Sequence, residues 1–302
     1  MKINNELLRR SLALSFGSGV SADRLLSEGK GTTAQNDEMT GGGALTILDE
    51  NLLRRAGYRL AATEMSKQQN IEDVVERADK LLQNDNNSNT EMSQDSIADQ
   101  GWVQACLDAA GKIYNNDLKQ LWAKILAGEI KAPGSYSLRV LDFMSKLSQK
   151  DAVRIRNLCQ YVLYTIGKTD AMILRMRDSK TLTYQDFSYL MELRLINSSS
   201  LVVKKYRFGN GQGNIVLYHG DVVYIIEVDR PDYDLPIYSF TELGKEVLSI
   251  VDDTELDYEY LRAFSENVMT TNKGLKFMCG KMEIKDSVGN VTDEGILFKL
   301  PE

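Results

Sequence analysis

Apolar residues recur at helical spacing through much of the first 180 residues and then change to strand-like alternation. A long helical pattern begins at Leu52. Within it, "NIEDVVERADKLL" repeats Ile71, Val74, Val75, Ala78, Leu81 and Leu82 along one face. Asn70 stands where it could cap this run, with Glu72 and Asp73 placed to favour an N-terminal dipole. "QNDNNSNTEMSQD" breaks the pattern with polar residues and reads as a linker or exposed loop. A second run puts Trp102, Ala105, Cys106, Ala109, Ala110 and Ile113 on one side. The next, "NNDLKQLWAKILAGEIK", aligns Leu118, Leu121, Trp122, Ile125, Leu126 and Ile130, with Lys119, Lys124 and Glu129 on the opposite, polar face. Pro133 and Gly134 end it with a turn. A further helix from about Ser137 directs Leu138, Leu141, Met144 and Leu147 inward. Ser148 and Asp151 open another, which carries Val153, Leu158, Val162 and Leu163. Short connections between such helices predict an antiparallel bundle.

After about residue 180 the pattern shifts. "TYQDFSYLMELRLI" predicts a short helix, followed by strand-like "LVVKKYRF", "NIVLYHG" and "DVVYIIEV". "YSFTELGKEVLSIV" returns to helix, with Ser239 and Glu242 spaced as a capping box. Helix, β-ribbon and helix in that order predict a winged-helix-like module. "LKFMCGKMEI" and "GILFKL" predict terminal strands. The expected fold class is therefore mainly α with an α+β C-terminal part: a helical bundle, a winged-helix-like domain and a small β extension. The expected divisions are a loosely structured segment at 1–60, a helical domain at 61–180, the winged-helix-like domain at 181–252 and the β-rich extension at 253–302.

Composition narrows the classes without naming a reaction. A chain of 302 residues exceeds one typical domain, and its 43% hydrophobic and 26% charged residues suit a globular protein. No apolar run approaches the roughly 20 residues that span a bilayer, and Glu6 with interspersed Ser and Gly spoils a targeting signal, so a cytoplasmic protein is expected. Cys106, Cys159 and Cys279 lie far apart in apolar settings and read as buried thiols. A net charge of −7 argues against a surface that grips nucleic acid all round.

"QQNIEDVVERADKLL" and "IADQGWVQACLDAAGKIYNNDLKQLWAKILAGEIKAPGSYSLRVLDFMSKLSQKDA" together resemble an uncharacterised bacterial family often found in prophages and mobile elements. Its marks are the LWAKILAGEI block, the PGSYSLRVL turn and helix, and a later "SFTELGKEVL" like that of winged-helix domains. The resemblance covers about residues 65–255 and implies architecture and genomic setting, with no reaction to carry over.

Candidate chemistry is sparse. His219 is the single histidine and sits between two strands in "LYHGD", which suggests a turn or surface role. No metal ligand set and no cofactor motif is read. After residue 40, Gly41 to Gly43 are not followed by the Gly-Lys-Ser/Thr of a phosphate loop. Basic residues outnumber acidic ones between 139 and 180, giving Arg139, Lys146, Arg154, Arg156, Arg175 and Arg177 as candidate phosphate or partner contacts, joined by Lys204, Lys205 and Arg207 on the first strand of the ribbon. Asp252, Asp253, Glu255, Asp257 and Glu259 form a candidate acidic partner surface. Asp229, Asp232 and Asp234 sit in the Pro-containing "DRPDYDLP", read as a loop. Tyrosines concentrate in the C-terminal half, and tyrosine suits interfaces because it buries area while keeping a polar tip. These features favour a non-enzymatic interaction or sensor protein of a mobile element, with phage defence as its setting. A protein partner is expected; nucleic acid and homo-oligomers are open alternatives. A winged-helix DNA-binding regulator and a metal-dependent nuclease stand as alternative functions.

Overall fold

A computed structural model describes residue 8 and residues 50–85, 97–176, 181–197, 202–251, 254–285 and 288–301. The expected loose segment up to residue 49, apart from residue 8, and the polar linker at 86–96 lie outside the described residues. The chain divides into two compact units, Met1–Gln149 and Lys150–Glu302.

The first unit is helical. α1 (Glu50–Asp85) runs unbroken for 36 residues, so Asn70 is an interior position and not a cap. Its side chain is buried and donates to the carbonyl oxygen of Gly111 at 2.9 Å. α2 (Gln100–Ala110) starts on Asp99, whose carboxylate accepts the Trp102 N–H at 2.8 Å. α3 (Asn116–Lys131) starts on Asn115, whose side chain accepts from Asp117 and Leu118. α4 (Leu138–Ser145) follows a turn and is capped by Ser137. The core combines Val74, Val75, Ala78 and Leu82 of α1 with Trp102, Cys106 and Leu107 of α2 and Trp122, Ile125 and Leu126 of α3.

Two residues expected on the polar face of α3 are buried instead. Lys119 reaches Asp73 of α1 at 3.0 Å, and Asp73 also holds Arg77 at 2.7 Å. Glu129, only 2% exposed, turns its carboxylate into the following turn, accepting the Gly134 N–H at 2.7 Å and the Tyr136 N–H at 3.0 Å. One residue earlier, Gly128 leaves room for an aromatic ring. A Cβ there would stand 2.7 Å from Cε2 of Tyr136. The "AGEIKAPGSY" run is thus a self-contained corner: Gly128 accepts the ring, Glu129 satisfies the turn's amides, and Gly134 supplies its left-handed φ of +87°. On α4 the inward residues are Val140, Leu141 and Met144, whereas Leu138 is 60% exposed.

The second unit is α+β. It opens with α5 (Gln149–Cys159) and then gives β1 (Val162–Tyr164) and β2 (Ala171–Leu174). α6 (Tyr184–Glu192), β3 (Val203–Arg207), β4 (Gly213–His219), β5 (Val222–Val228) and β6 (Asp232–Ser239) follow. α7 (Glu242–Val251), α8 (Tyr258–Thr271), β7 (Leu275–Lys285) and β8 (Val288–Leu300) complete it. All eight strands join one antiparallel sheet in the order β3-β6-β2-β1-β4-β5-β7-β8.

That sheet overturns the winged-helix expectation and, with it, the description as a helical bundle carrying a small β extension. The strands expected as a wing are not a self-contained ribbon: among the described residues β3 pairs only with β6, while β4 and β5 are interior strands bounded by β1 and β7. The predicted terminal strands are present as β7 and β8, but they extend this same sheet. Val162 and Leu163, assigned to a helix, belong to β1, because α5 ends at Cys159 and Val153 on it is 51% exposed. "DYDLP", assigned to a loop, opens β6, in which Tyr233, Leu235 and Ile237 are buried in alternation. Pro236 is tolerated there because the β2 ladder is ending: its carbonyl accepts the Arg175 N–H at 2.9 Å, and only the returning bond is missing. α7 is capped by Thr241, not Ser239; the Thr241 hydroxyl accepts the Gly244 N–H at 3.0 Å and donates to the Arg194 carbonyl at 2.8 Å.

One face of β4, β5 and β7 buries Ile215, Leu217, Tyr224, Ile226, Phe277 and Cys279. α8 contributes Tyr260, Leu261, Phe264 and Ser265 to the same core, tied in by a 2.7 Å hydrogen bond between the Tyr224 and Ser265 hydroxyls. His219 is buried, not at the surface. Its Nδ1 lies 2.7 Å from the carbonyl oxygen of Val162 and its Nε2 lies 2.8 Å from that of Thr254. The ring thus lies between β4, the start of β1 and the segment entering α8, and donates to a carbonyl from the nitrogen that carries its proton. The three cysteines are buried, as their apolar settings predicted.

Candidate functional site

A groove lined by several charged side chains lies beside the edge strand β3. Its walls come from β3, the turn before β6, β6 itself and the end of α8. One part, about 350 Å³, is bordered by Lys205, Arg207, Arg230, Asp232 and Asp234. The other, about 710 Å³, is bordered by Arg175 and Tyr238 on the sheet side and by Asn267, Thr270 and Thr271 on the helix side. Tyr233, Asp234 and Asn272 border both, which makes them two ends of one groove.

Local structure explains how these side chains arrive. β3 alternates, so Lys205 and Arg207 point out while Lys204 and Tyr206 turn toward the covered side. Lys204 hydrogen-bonds the Asp170 carboxylate, an interaction that, with Lys245 nearby, holds Asp170 below the ordinary carboxylate value despite its partial burial. Tyr206 has a buried hydroxyl with no hydrogen-bond partner among the described residues. Burial first, and then the Asp170 charge, push that phenol up to about 12. Burial likewise raises Tyr233. Arg230 donates to the Lys273 carbonyl at 2.6 Å, placing a cation at the C-terminal end of α8 where the helix dipole favours it. Lys205 and Arg207 differ from these. The register sets Asp234 and Asp232 directly opposite them, yet neither cation has a carboxylate within 4.0 Å among the described residues.

The other sequence-derived candidates are dispersed. Arg154 is committed internally: its guanidinium meets Asp186 at 3.2 Å and lies 3.9 Å over the Tyr189 ring, whose hydroxyl donates to Asp151 at 2.8 Å. That cluster joins α5 to α6. Lys146 pairs with Asp142 within α4 at 2.7 Å, and Arg139 is exposed on the same helix. Arg156 is exposed on α5. The basic run at 139–180 is therefore split between the two units, with Arg177 outside the described residues. Of the acidic candidates, Asp252 and Asp253 also lie outside the described residues. Asp257 caps α8, accepting the Tyr260 N–H at 3.1 Å, while Glu255 and Glu259 are exposed beside it. Among the described residues no group of three or more His, Cys, Asp or Glu is arranged to hold a metal ion, and no helix is long and apolar enough to cross a membrane.

The structure brings together Arg175, Lys205 and Arg207 from the predicted set. It adds Arg230, Asn267 and Asn272, which sequence reasoning did not select, and Tyr233, one of the C-terminal tyrosines read as suited to an interface. The alternation of "DYDLPIY", apolar at every second position from Tyr233, was the one signal that marked this segment as a strand and hence placed its aspartates across from β3.

Comparison with curated proteins and with solved structures returns no match. Residues 54–265, covering α1 through most of α8, match the family described as Protein of unknown function (DUF2806), and the chain belongs to that family.

Proposed function

We propose that this protein works by non-covalent recognition of a protein partner, and that the groove beside β3 receives an anionic part of it. The observation that carries the reading is the pair Lys205 and Arg207, two exposed cations with no carboxylate partner among the described residues, set at the mouth of a groove that also holds Arg175 and Arg230. The same groove contains Asp232 and Asp234. A duplex carries a phosphate about every 3.4 Å along each strand and would have to pass these carboxylates. A protein segment can place its charges selectively, and the groove's tyrosines and arginines suit such a surface. From the resemblance to a prophage-associated family, the process served is proposed to be defence against phage.

The test compares the full chain with its Lys205→Glu/Arg207→Glu variant. Each is tagged, expressed in the native host with and without phage, and recovered for protein and nucleic-acid identification. A stoichiometric protein that is retained by the wild type and lost from the variant is the expected outcome. Equal retention by both chains removes the groove from the function. Nucleic acid that is lost from the variant and elutes with salt replaces a protein partner with DNA or RNA.

A further inference from the structure

The partner's mode of attachment follows from the backbone of β3. In an antiparallel pair, residues alternate between those whose main-chain groups face the neighbour and those whose groups face away. Ile237 donates to Val202 at 3.2 Å and Phe208 donates to Pro231 at 2.7 Å, so the even-numbered residues of β3 face β6. The N–H and C=O groups of Val203, Lys205 and Arg207 therefore point out of the sheet. Among the described residues none of these groups has a hydrogen-bond partner, and β3 has no strand on that side. Such a row of unpaired groups is a template for another strand.

From this edge we infer that the partner supplies an extended acidic segment that pairs with β3 as a ninth strand, its carboxylates facing Lys205 and Arg207. This rests on the groove reading above and names its occupant. Charge complementarity selects the occupant: both exposed side chains of β3 are cationic. Their nearest cross-strand residues, Asp232 and Asp234, lie on β6, the strand behind β3, where the incoming strand does not reach. Lysine on an edge strand ordinarily deters strand pairing. Here it deters neutral or basic segments and admits acidic ones, which turns a protected edge into a selective one.

The experiment displays a library of random dodecapeptides to the immobilised full chain at low salt. The most enriched peptide is then synthesised in three forms: unmodified, N-methylated at odd residues and N-methylated at even residues. Strand addition predicts acidic enrichment. It also predicts that only one of the two methylated forms loses affinity, by at least about tenfold, because only one set of amides faces β3. Lys205→Glu/Arg207→Glu should weaken the unmodified peptide by about tenfold at low salt, less at high salt. Both substituted residues are exposed, and circular dichroism checks that the variant remains folded. Acidic peptides whose binding tolerates both methylation patterns would overturn strand pairing and leave the groove reading standing. Enrichment without acidic character, or binding that charge reversal does not alter, would overturn both.

Discussion

Glu129 offers the sharpest test of the α3 corner, because a buried carboxylate there serves two amides at once. Its two oxygens accept from Gly134 and Tyr136 at 2.7 and 3.0 Å, and the residue is 2% exposed. Hydrogen bonds to a charged acceptor contribute about 1.5–3 kcal/mol each, and each buried methylene about 0.8 kcal/mol. Glu129→Ala removes both acceptors and most of the buried chain. Gly134 itself is exposed, so water recovers part of its lost bond, whereas half-buried Tyr136 recovers less. The net cost expected is about 3–5 kcal/mol. Glu129→Gln keeps the methylenes and one acceptor oxygen, but its NH₂ then confronts an amide N–H, donor against donor. It should cost about 1.5–3 kcal/mol. The assay is urea unfolding followed by tryptophan emission. Both tryptophans of the chain, Trp102 and Trp122, lie in the helical unit, so the signal reports that unit without averaging over the sheet. If Glu129→Gln unfolds with the wild type, or Glu129→Ala costs under about 1 kcal/mol, the corner is not held by this carboxylate.

Gly128→Ala should destabilise the same unit, although alanine normally gains about 1 kcal/mol over glycine in a helix. Its methyl would meet the Tyr136 ring at 2.7 Å, so Gly128→Ala/Tyr136→Ala should cost less than the sum of the single changes, as read by the same unfolding curves. Asp73 is held below 3.8, first by the hydrogen bond from Arg77 and, against burial, by that from Lys119. A lowered folded-state value means its stabilisation is present above the unfolded value and is lost as pH falls through the folded one. The gap between wild type and Asp73→Asn, on the order of 1 kcal/mol for this part-buried cluster, should therefore close as pH falls below about 3.8 in acid titrations of tryptophan emission. In the second unit, Ser265→Ala leaves the fully buried Tyr224 hydroxyl without its partner and should cost about 1–3 kcal/mol in thermal unfolding. Adding Tyr224→Phe should recover part of that loss, and a double variant worse than additive would refute the pairing.

Helical amphipathicity was legible because α3 repeats its apolar residues over 16 positions, long enough for a period to show. Charge was not. Lys119 and Glu129 look like solvent-facing residues until Asp73, 46 positions away, and the turn amides supply their partners. The sheet failed to show for a related reason: β1 and β2 are three and four residues long and buried on both faces, so neither displays alternation. With those two strands hidden, and β6 disguised by Pro236, the visible strands collapsed into an apparent wing.

The groove was hidden for the same physical reason. Lys205 and Arg207 were readable as cations, but not as edge residues, since edge position depends on β6 and on there being no pairing strand beyond β3 among the described residues. An edge guarded only against aggregation needs charge and nothing more. This edge adds a groove bordered by Tyr233 and Asn272 and a further cation in Arg230, features that repulsion alone would not require. Repulsive charge works best when isolated from any pocket, and recognition works best when charge and pocket adjoin. Their adjacency is what favours a selective edge over a merely protected one.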